Sequence, residues 1–293
     1  MRKVVLFISD THGGSKYGLL NPATRLDRCT YGELGVEHNY WKPGLTKIQK
    51  LLWKFYKQDI KGVVEWAKGD EIVVVHNGDV TDGDKHPNAK VDELESSQVR
   101  IAAKNMEPWF EIENLTKFIL VDGTSAHNYG DGSATDLVSR ELLLMNAAQQ
   151  LEGKREVKIS RLRHGVLNAD GCRIDVAHHG PGVGKWVWLR GYQLQRYARN
   201  ICMDEMLDRK PAPDVIVRSH YHSYEHEAPH VKDHDCFIMV TPCYTGMNHY
   251  ASQVTASSYK LSIGMVAIEI IDGERGRVKD FVRTLDLRQE IKI

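Results

Sequence analysis

Aspartate and histidine residues recur in short groups along this sequence, and each group follows a run of apolar residues. In chain order the groups are Asp10-Thr11-His12, Gly78-Asp79-Val80-Thr81-Asp82, Gly123 with His127, His178-His179 and His220-Tyr221-His222. Carboxylate oxygens and imidazole nitrogens together suit divalent first-row metals such as Mn, Fe or Zn. No cysteine belongs to any group, so a structural zinc site built on thiolates is not expected. The groups therefore predict a centre that holds divalent metal ions.

Each group taken alone also has an ordinary structural explanation. The aspartate of a DxH group can cap a helix, a GDxxD fragment is a common turn, and an HxH pair is common in loops. All the groups occur in one chain, however, and each comes after an apolar run. Because chance rarely produces that combination, we favour the metal site.

The elements that must position these groups are strands. Apolar runs at 4–8, 72–75, 118–121 and 215–217, and the mixed segment 173–177, predict five strands, and each group follows one of them. The carboxyl ends of strands are where open α/β sheets bind ligands. We therefore expect the groups to converge at one edge of the sheet system.

Helices are predicted between the strands. They are expected at 45–68, at 93–106 before Pro108, at 131–150 with Asp131 and Ser133 as caps, and at 188–208. The segments 13–44 and 180–190 are predicted to be loop insertions near the substrate, and 236–287 is predicted to be rich in β-structure. The fold class expected is α/β or α+β, in a single domain over 1–293.

Composition excludes several classes of protein. The 293 residues include 39 basic and 39 acidic side chains, which excludes binding through bulk positive charge, as in histone-like proteins. No run of about 18 apolar residues is present, so no membrane span is predicted. The apolar run that ends before Asp10 is too short for a signal peptide, and the five cysteines are widely spaced without a CxxC pair. We expect reduced thiols and a cytoplasmic protein.

The predicted helix at 45–68 has a basic face opposite its apolar face. Its lysines are Lys47, Lys50, Lys54, Lys57, Lys61 and Lys68. A solvated amphipathic helix explains them, because no aromatic residues interleave on that face to stack on bases. Contacts with the phosphates of a nucleic acid are the alternative.

In their order, the Asp and His groups resemble the pattern of the calcineurin-like metallophosphoesterases. That pattern is DxH, GDxxD, GNH[DE], a histidine after a strand, and GHxH. The matching segments here are Asp10-Thr11-His12, Gly78 to Asp82, His178 or His179, and Ser219-His220-Tyr221-His222. The resemblance covers roughly residues 3–225. It implies two β-sheets packed as a sandwich and flanked by helices, in four αββα layers.

Two positions depart from the family's pattern. Ser219 stands where the last block has glycine, and Gly123-Thr124-Ser125-Ala126-His127 stands where GNH[DE] is expected. Thr124 thus occupies the place of the family's asparagine ligand, and the histidine is displaced by two residues. In this departure the sequence resembles some phage and prophage members of the family.

Carried over residue by residue, the resemblance implies two metal sites. The ligands of the first ion would be Asp10, His12, Asp79 and His222. The ligands of the second ion would be Asp79, His178 and His220, so that the carboxylate of Asp79 bridges the two ions. The cofactors implied are two divalent ions, with manganese first and Fe, Zn, Ni or Mg as alternatives.

The resemblance also implies roles beside the ligands. His127 would protonate the leaving group, and Asp82 would orient a ligand histidine. His178 directly follows its strand and is preferred as the ligand, whereas His179 would lie in a loop near the substrate.

The function implied is hydrolysis of phosphate esters at a two-metal centre. Two ions about 3.5–4 Å apart can hold a phosphate and activate water. Phosphodiester or nuclease activity and phosphomonoester hydrolysis are both open, and the expected partner is a phosphate-ester substrate, nucleic acid included. A catalytically degraded scaffold is the alternative from another class, and the six ligand residues that persist argue against it.

Overall fold

Two β-sheets lie face to face in the computed structural model, which describes residues 1–32, 35–85, 89–183, 189–247 and 260–288. The first sheet contains β1 (Arg2–Ile8), β4 (Glu71–Asn77), β5 (Leu115–Val121), β6 (Lys158–Leu162), β14 (Lys260–Ile271) and β15 (Glu274–Asp286). The second contains β7 (His164–Ala169), β8 (Cys172–Ala177), β9 (Val215–Arg218), β10 (Glu225–Glu227) and β13 (Phe237–Val240). The separate hairpins are β2 (Leu26–Gly32) with β3 (Gly35–Trp41) and β11 (His230–Val231) with β12 (His234–Asp235). The helices are α1 (Lys47–Ala67), α2 (Glu95–Phe110), α3 (Ser133–Leu151) and α4 (Tyr192–Leu207).

Both sheets have a parallel centre. The first runs in the order β15-β14-β1-β4-β5-β6, and β1, β4, β5 and β6 pair in parallel. The second runs in the order β10-β13-β9-β8-β7, and β13, β9 and β8 pair in parallel. Because paired parallel strands end at the same edge, the loops after β1, β4 and β5 are neighbours, and so are those after β8 and β9.

Apolar side chains fill the layers between these elements. Between the sheets, side chains such as Phe7 and Val75 pack against Ile174 and Met239 of the facing sheet. A second cluster joins the outer face of the first sheet to α1, α2 and α3, and a third joins the second sheet to α4. The predicted fold class is therefore confirmed as two sheets packed face to face and flanked by helices.

The segment 13–44, predicted to be a loop, contains the hairpin of β2 and β3. Its seven-residue strands pair in register from Leu26 opposite Trp41 to Gly32 opposite Gly35. Leu26 is buried against Leu20 and Ile101, which anchors the hairpin to α2. These two strands are held together by pairing with each other, and their residues do not alternate between apolar and polar. The sequence pattern therefore did not indicate them.

Three helix boundaries differ from the prediction. Pro108 lies inside α2 and does not end it, because the carbonyl of Lys104, which proline cannot bond, accepts a hydrogen bond from Asn21 Nδ2 at 2.8 Å. Gly132 caps α3, while Asp131 Oδ1 accepts a bond from the backbone N of Ser133. Helix α4 begins at Tyr192, and its predicted start at residue 188, like residues 184–187 of the predicted insertion, lies outside the described residues.

The lysine face of α1 is solvated, as predicted. The six lysines, five on α1 and Lys68 at its C-cap, are all exposed, and the opposite face buries residues that include Leu52, Tyr56, Ile60 and Val63. Across the part of the chain that the structure describes, no helix is long and apolar enough to cross a membrane.

Candidate metal centre

The Asp and His groups of the sequence converge where the carboxyl ends of the two sheets meet. Asp10, His12 and His222 offer ligand atoms within 4.8 Å of one another, and so do Asp79, His178 and His220. These two triads, called group A and group B below, contain the six residues named as ligands from the sequence. The bridging role of Asp79 stays a prediction, because Asp79 lies with group B alone.

Group A is built around one carboxylate oxygen. Asp10 Oδ1 lies 3.2 Å from His222 Nε2 and 3.9 Å from His12 Nε2. The two histidine Nε2 atoms are 3.3 Å apart. Asp10 is fully buried and His12 is nearly so. The three atoms thus face one small volume from different sides.

Group B has the same construction. His178 Nε2 lies 3.0 Å from Asp79 Oδ2, and His220 Nδ1 lies 3.9 Å from the same oxygen. The ring nitrogen on the other side of His178, Nδ1, lies 2.6 Å from the carbonyl oxygen of Asn77. A carbonyl can only accept, so Nδ1 carries the proton and Nε2 is left to face Asp79. Asp10 Oδ1 lies 3.9 Å from His178 Nε2, so the two groups adjoin.

The local backbone explains how five of these side chains reach the centre. Asp10, His12, Asp79, His220 and His222 all have positive φ values, from 43° to 79°. This left-handed conformation costs a residue with a side chain about 1–3 kcal/mol and clusters at functional sites. Backbone bonds hold the turns in place, since Asp10 N donates to Gly78 O at 3.0 Å and His12 N donates to Asp79 O at 3.1 Å.

His127 and Asp82 lie beside group A. His127 Nδ1 is 2.5 Å from the backbone oxygen of Asp82, and the His127 ring meets the His12 ring edge-on with centroids 4.4 Å apart. Asp82 Oδ1 lies 3.7 Å from His12 Nδ1, the nitrogen that faces away from group A. This position of Asp82 fits its predicted role of orienting a ligand histidine, here His12. His12, Asp82 and His127 also form a third set of close ligand atoms.

The departing segment around Thr124 contacts Asp79. Thr124 N and Thr124 Oγ1 both donate to Asp79 Oδ1, at 2.7 and 3.1 Å. Gly123 is required there, because a Cβ on it would lie 2.2 Å from Asp79 Oδ1 and 2.3 Å from Asp79 N. Thr124 therefore holds the carboxylate of group B from the side opposite His178.

Electrostatics put the carboxylates in the ionised form. Burial would raise the pKa of Asp10, but His178 and His222 outweigh it and lower that pKa. Burial would likewise raise the pKa of Asp79, but His178 and His127 hold it well below its usual value. Burial lowers the pKa of His178, yet the charges of Asp79 and Asp10 outweigh it and raise that pKa to about 9. His12 has its pKa lowered by burial and by its histidine neighbours.

Two buried atoms show that the donor set fits a cation. Asp10 Oδ1 and His178 Nε2 are buried and make no well-aligned hydrogen bond within the described ranges, with His222 Nε2 and Asp79 Oδ2 only 3.2 and 3.0 Å away. Buried polar atoms without partners are rare and costly, and a bound ion is one of their standard explanations. Carboxylate and imidazole donors without thiolate suit Mn²⁺, Fe²⁺ or Zn²⁺.

The two candidate histidines after β8 differ in environment. His178 is buried in group B, whereas His179 is exposed and its ring centroid lies 4.4 Å from that of His220. His179 thus lies at the surface beside the centre.

Residues that the sequence analysis did not name surround the ligands. Ser9, Asn77 and Thr241 are fully buried. Ser9 Oγ donates to Asp10 Oδ2, Thr241 Oγ1 lies 2.7 Å from Ser9 Oγ, and the carbonyl oxygen of Asn77 lies 2.6 Å from His178 Nδ1. The one signal for Asn77 and Ser9 is position, because each lies one or two residues before a ligand aspartate. Thr241 follows β13 and belongs to no motif.

No protein-family model matches this chain, and no curated protein matches it. A solved structure that it resembles is wild-type Vps29 of Entamoeba histolytica complexed with Zn²⁺, at 16% identity and a TM-score of 0.29, over 60% of this chain and 88% of that one. Another is the SoxB sulfate thiohydrolase of Thermus thermophilus in complex with glycerol, at 14% identity and a TM-score of 0.39, over 97% of this chain and 56% of that one. A third is the Thermotoga maritima protein TM1076, at 12% identity and a TM-score of 0.30, over 61% and 87%. This chain thus spans little more than half of SoxB. Because these scores are low, the interpretation of the centre rests on its own side chains.

Proposed function

We propose that this protein is a metal-dependent phosphoesterase of the calcineurin-like superfamily, with a centre for two divalent ions. The observation that carries the proposal is the division of six Asp and His residues into groups A and B, one for each ion. The order of the sequence motifs and the two unpartnered buried atoms support it. Manganese is our first choice of metal, because its ligand preference includes carboxylate oxygen.

The proposed roles follow from the contacts. Bound ions would polarise the phosphate and lower the pKa of water. Asp10 and Asp79 would supply negative charge to hold the ions, and Thr124 would fix the orientation of Asp79 through its two donors. His127 would donate a proton to the leaving oxygen from Nε2, because its Nδ1 faces the backbone of Asp82.

We further propose that phosphodiesters, those of nucleic acids included, are the substrate class, that 1–293 forms one domain, and that the protein acts in the cytoplasm. Cys172, Cys202, Cys236 and Cys243 are free and buried, which supports a reducing compartment. A phosphomonoester assay run in parallel separates the two ester classes.

The test is hydrolysis of bis-p-nitrophenyl phosphate and p-nitrophenyl phosphate by the protein loaded with Mn²⁺. We expect turnover of the diester, its loss on chelation, and its near-complete loss in the Asp79→Asn variant. Asp233→Asn, at an exposed turn outside the centre, is the matched control and should retain full activity. Full activity in excess chelator would refute the proposal.

A further inference from the structure

A buried row of side chains connects the two ligand groups. Asn77 Nδ2 lies 2.6 Å from Ser219 Oγ, and Ser219 Oγ lies 2.7 Å from Thr241 Oγ1. Thr241 Oγ1 lies 2.7 Å from Ser9 Oγ, which donates to Asp10 Oδ2. All five side chains are fully buried, so water does not substitute for any of these bonds. The row, called the hydroxyl chain below, crosses from β4 through the ends of β9 and β13 to the end of β1.

The amide of Asn77 favours one direction for the protons of the hydroxyl chain. Asn77 Nδ2 also lies 3.0 Å from the carbonyl oxygen of Ala177, which can only accept, so the atom placed there is the NH₂ group. Its two hydrogens go to Ala177 and Ser219. Ser219 accepts from Asn77. Either oxygen of the pairs Ser219–Thr241 and Thr241–Ser9 can donate, and the assignment that gives every buried hydroxyl proton an acceptor runs from Ser219 to Thr241 and from Thr241 to Ser9.

The hydroxyl chain ends at one oxygen of Asp10. Ser9 has accepted from Thr241, so its own proton is available to Asp10 Oδ2, with the carbonyl of Pro242 3.1 Å away as the weaker, uncharged acceptor. Asp10 Oδ2 thus accepts from Ser9 and, at 3.4 Å, from the backbone N of His220, while Asp10 Oδ1 makes no well-aligned hydrogen bond in the described parts of the chain and lies 3.2 Å from His222 Nε2. A row of donors polarised in one direction strengthens each bond in it.

Asn77 contacts the other group through its backbone. Its carbonyl oxygen lies 2.6 Å from His178 Nδ1 and so leaves His178 Nε2 toward group B. One residue thus orients a ligand in each group, the histidine directly and the aspartate through three hydroxyls.

We infer that Asn77, Ser219, Thr241 and Ser9 are positioning residues that orient Asp10 Oδ1 toward the metal of group A. The inference rests on the proposed two-metal function and deepens it. It also accounts for Ser219, which stands where the family's pattern has glycine, because glycine has no hydroxyl to pass on the bond from Asn77.

The test is Mn²⁺ titration of the metal-free protein by calorimetry, with the Thr241→Val variant. Valine keeps the shape of threonine and removes the hydroxyl in the middle of the chain. We expect the affinity of group A to fall by about 10- to 100-fold, the usual effect of losing a partner that orients a ligand. Group B should change little, since the backbone of Asn77 still holds His178. The His220→Ala variant, which lacks a ligand of group B, identifies the titration step that belongs to group A.

Two variants serve as controls. Thr241→Ser keeps the hydroxyl and should bind Mn²⁺ at group A with the wild-type affinity. A role of Thr241 in packing alone would not predict this, because serine lacks the methyl group. Thr24→Val removes another fully buried hydroxyl, one without a hydrogen-bond partner among the described residues, and should leave both affinities unchanged. If Thr241→Val does not fold, Ser219→Gly interrupts the same chain and should give the same loss.

The outcomes separate this inference from the proposed function. Wild-type affinity for Mn²⁺ at group A in Thr241→Val or Ser219→Gly would overturn the inference and leave the two-metal function standing. A wild-type protein that binds no Mn²⁺, Zn²⁺ or Fe²⁺ would overturn both.

Discussion

At the scale of single residues, the chemistry of the centre depends on side chains that the sequence identifies by type and spacing. Asp10, His12, Asp79 and the histidines after β8 and β9 could be predicted to lie together, because Asp and His groups after buried strands form a pattern that chance rarely produces. Ser9 and Thr241 could not be predicted. Hydroxyl residues are common at strand ends, and only the packing of the two sheets shows that these two meet at 2.7 Å.

His127 provides the first test at this scale. We expect His127→Ala to lower turnover of diesters with poor leaving groups by about 10²–10⁴-fold and to affect p-nitrophenyl esters less, because a general acid matters most when the leaving oxygen is basic. Rates over a series of substituted phenyl esters measure this. His226→Ala, an exposed histidine on β10, is the control. An equal loss for all leaving groups, together with loss of one metal ion, would instead make His127 a ligand.

Thr124 provides the second test at the scale of single residues. Its hydroxyl donates to Asp79 and occupies the place of the family's asparagine ligand, so we expect group B to bind Mn²⁺ more weakly than group A. Thr124→Asn should tighten the weaker step by about tenfold, while Thr124→Val should not tighten it. Calorimetric titration reads both steps. Two equal affinities in the wild type would contradict the prediction.

At the scale of elements, the buried strands could be predicted and the exposed ones could not. Strands β1, β4, β5 and β9 each contain a continuous apolar run and β8 is mostly buried, whereas β6 and β7 have no buried residue and carry no such signal. The backbone conformation of the turns could not be predicted from the sequence either. Five residues of groups A and B adopt positive φ, and although aspartate and histidine are enriched in that conformation, residue type does not indicate which positions adopt it.

The turn after β5 gives a prediction at the element scale. Gly123→Ala places a methyl group 2.2 Å from Asp79 Oδ1 and 2.3 Å from Asp79 N, so Asp79 must be displaced from its present position beside His178. We expect the affinity of group B for Mn²⁺ to fall at least tenfold, with a smaller effect on group A. Gly44→Ala is the matched control, since nothing lies within 4 Å of its new Cβ. Unchanged binding in Gly123→Ala would show that the turn does not position Asp79.

At the scale of the whole molecule, the resemblance to a family, not periodicity, predicted two facing sheets. Apolar runs show which strands are buried, but they do not give the strand order or the partner of each face. The C-terminal strands β14 and β15 pair beside β1 and complete the first sheet, a long-range contact between the two ends of the chain.

A buried carboxylate at this junction gives a prediction about stability and pH. Glu269 Oε1 lies 2.7 Å from Arg277 Nε and Glu269 Oε2 lies 2.9 Å from Arg2 Nε. The bond from Arg277 lowers the pKa of Glu269 to about 2, from its usual 4.5. The ionised carboxylate of Glu269 therefore stabilises the folded state above about pH 4.5, and this contribution to the free energy of unfolding is lost as the pH falls through 2.

We expect Glu269→Gln to lower the midpoint of thermal unfolding at pH 7 by about 2–4 °C, and this difference from the wild type to shrink between pH 4.5 and pH 2. Asp280→Asn, on an exposed position of β15, should show no such trend. A difference that stays constant over this range would show that the charge of Glu269 does not stabilise the junction.

The central claim is that groups A and B each hold one divalent ion, and the metal content per chain tests it most directly. The protein is loaded with Mn²⁺, freed of unbound metal and analysed by inductively coupled plasma mass spectrometry. We expect two equivalents in the wild type and one in each of the His12→Ala and His220→Ala variants, because each removes a ligand from one group. A wild-type chain that retains no metal, or variants that both retain two equivalents, would contradict the claim.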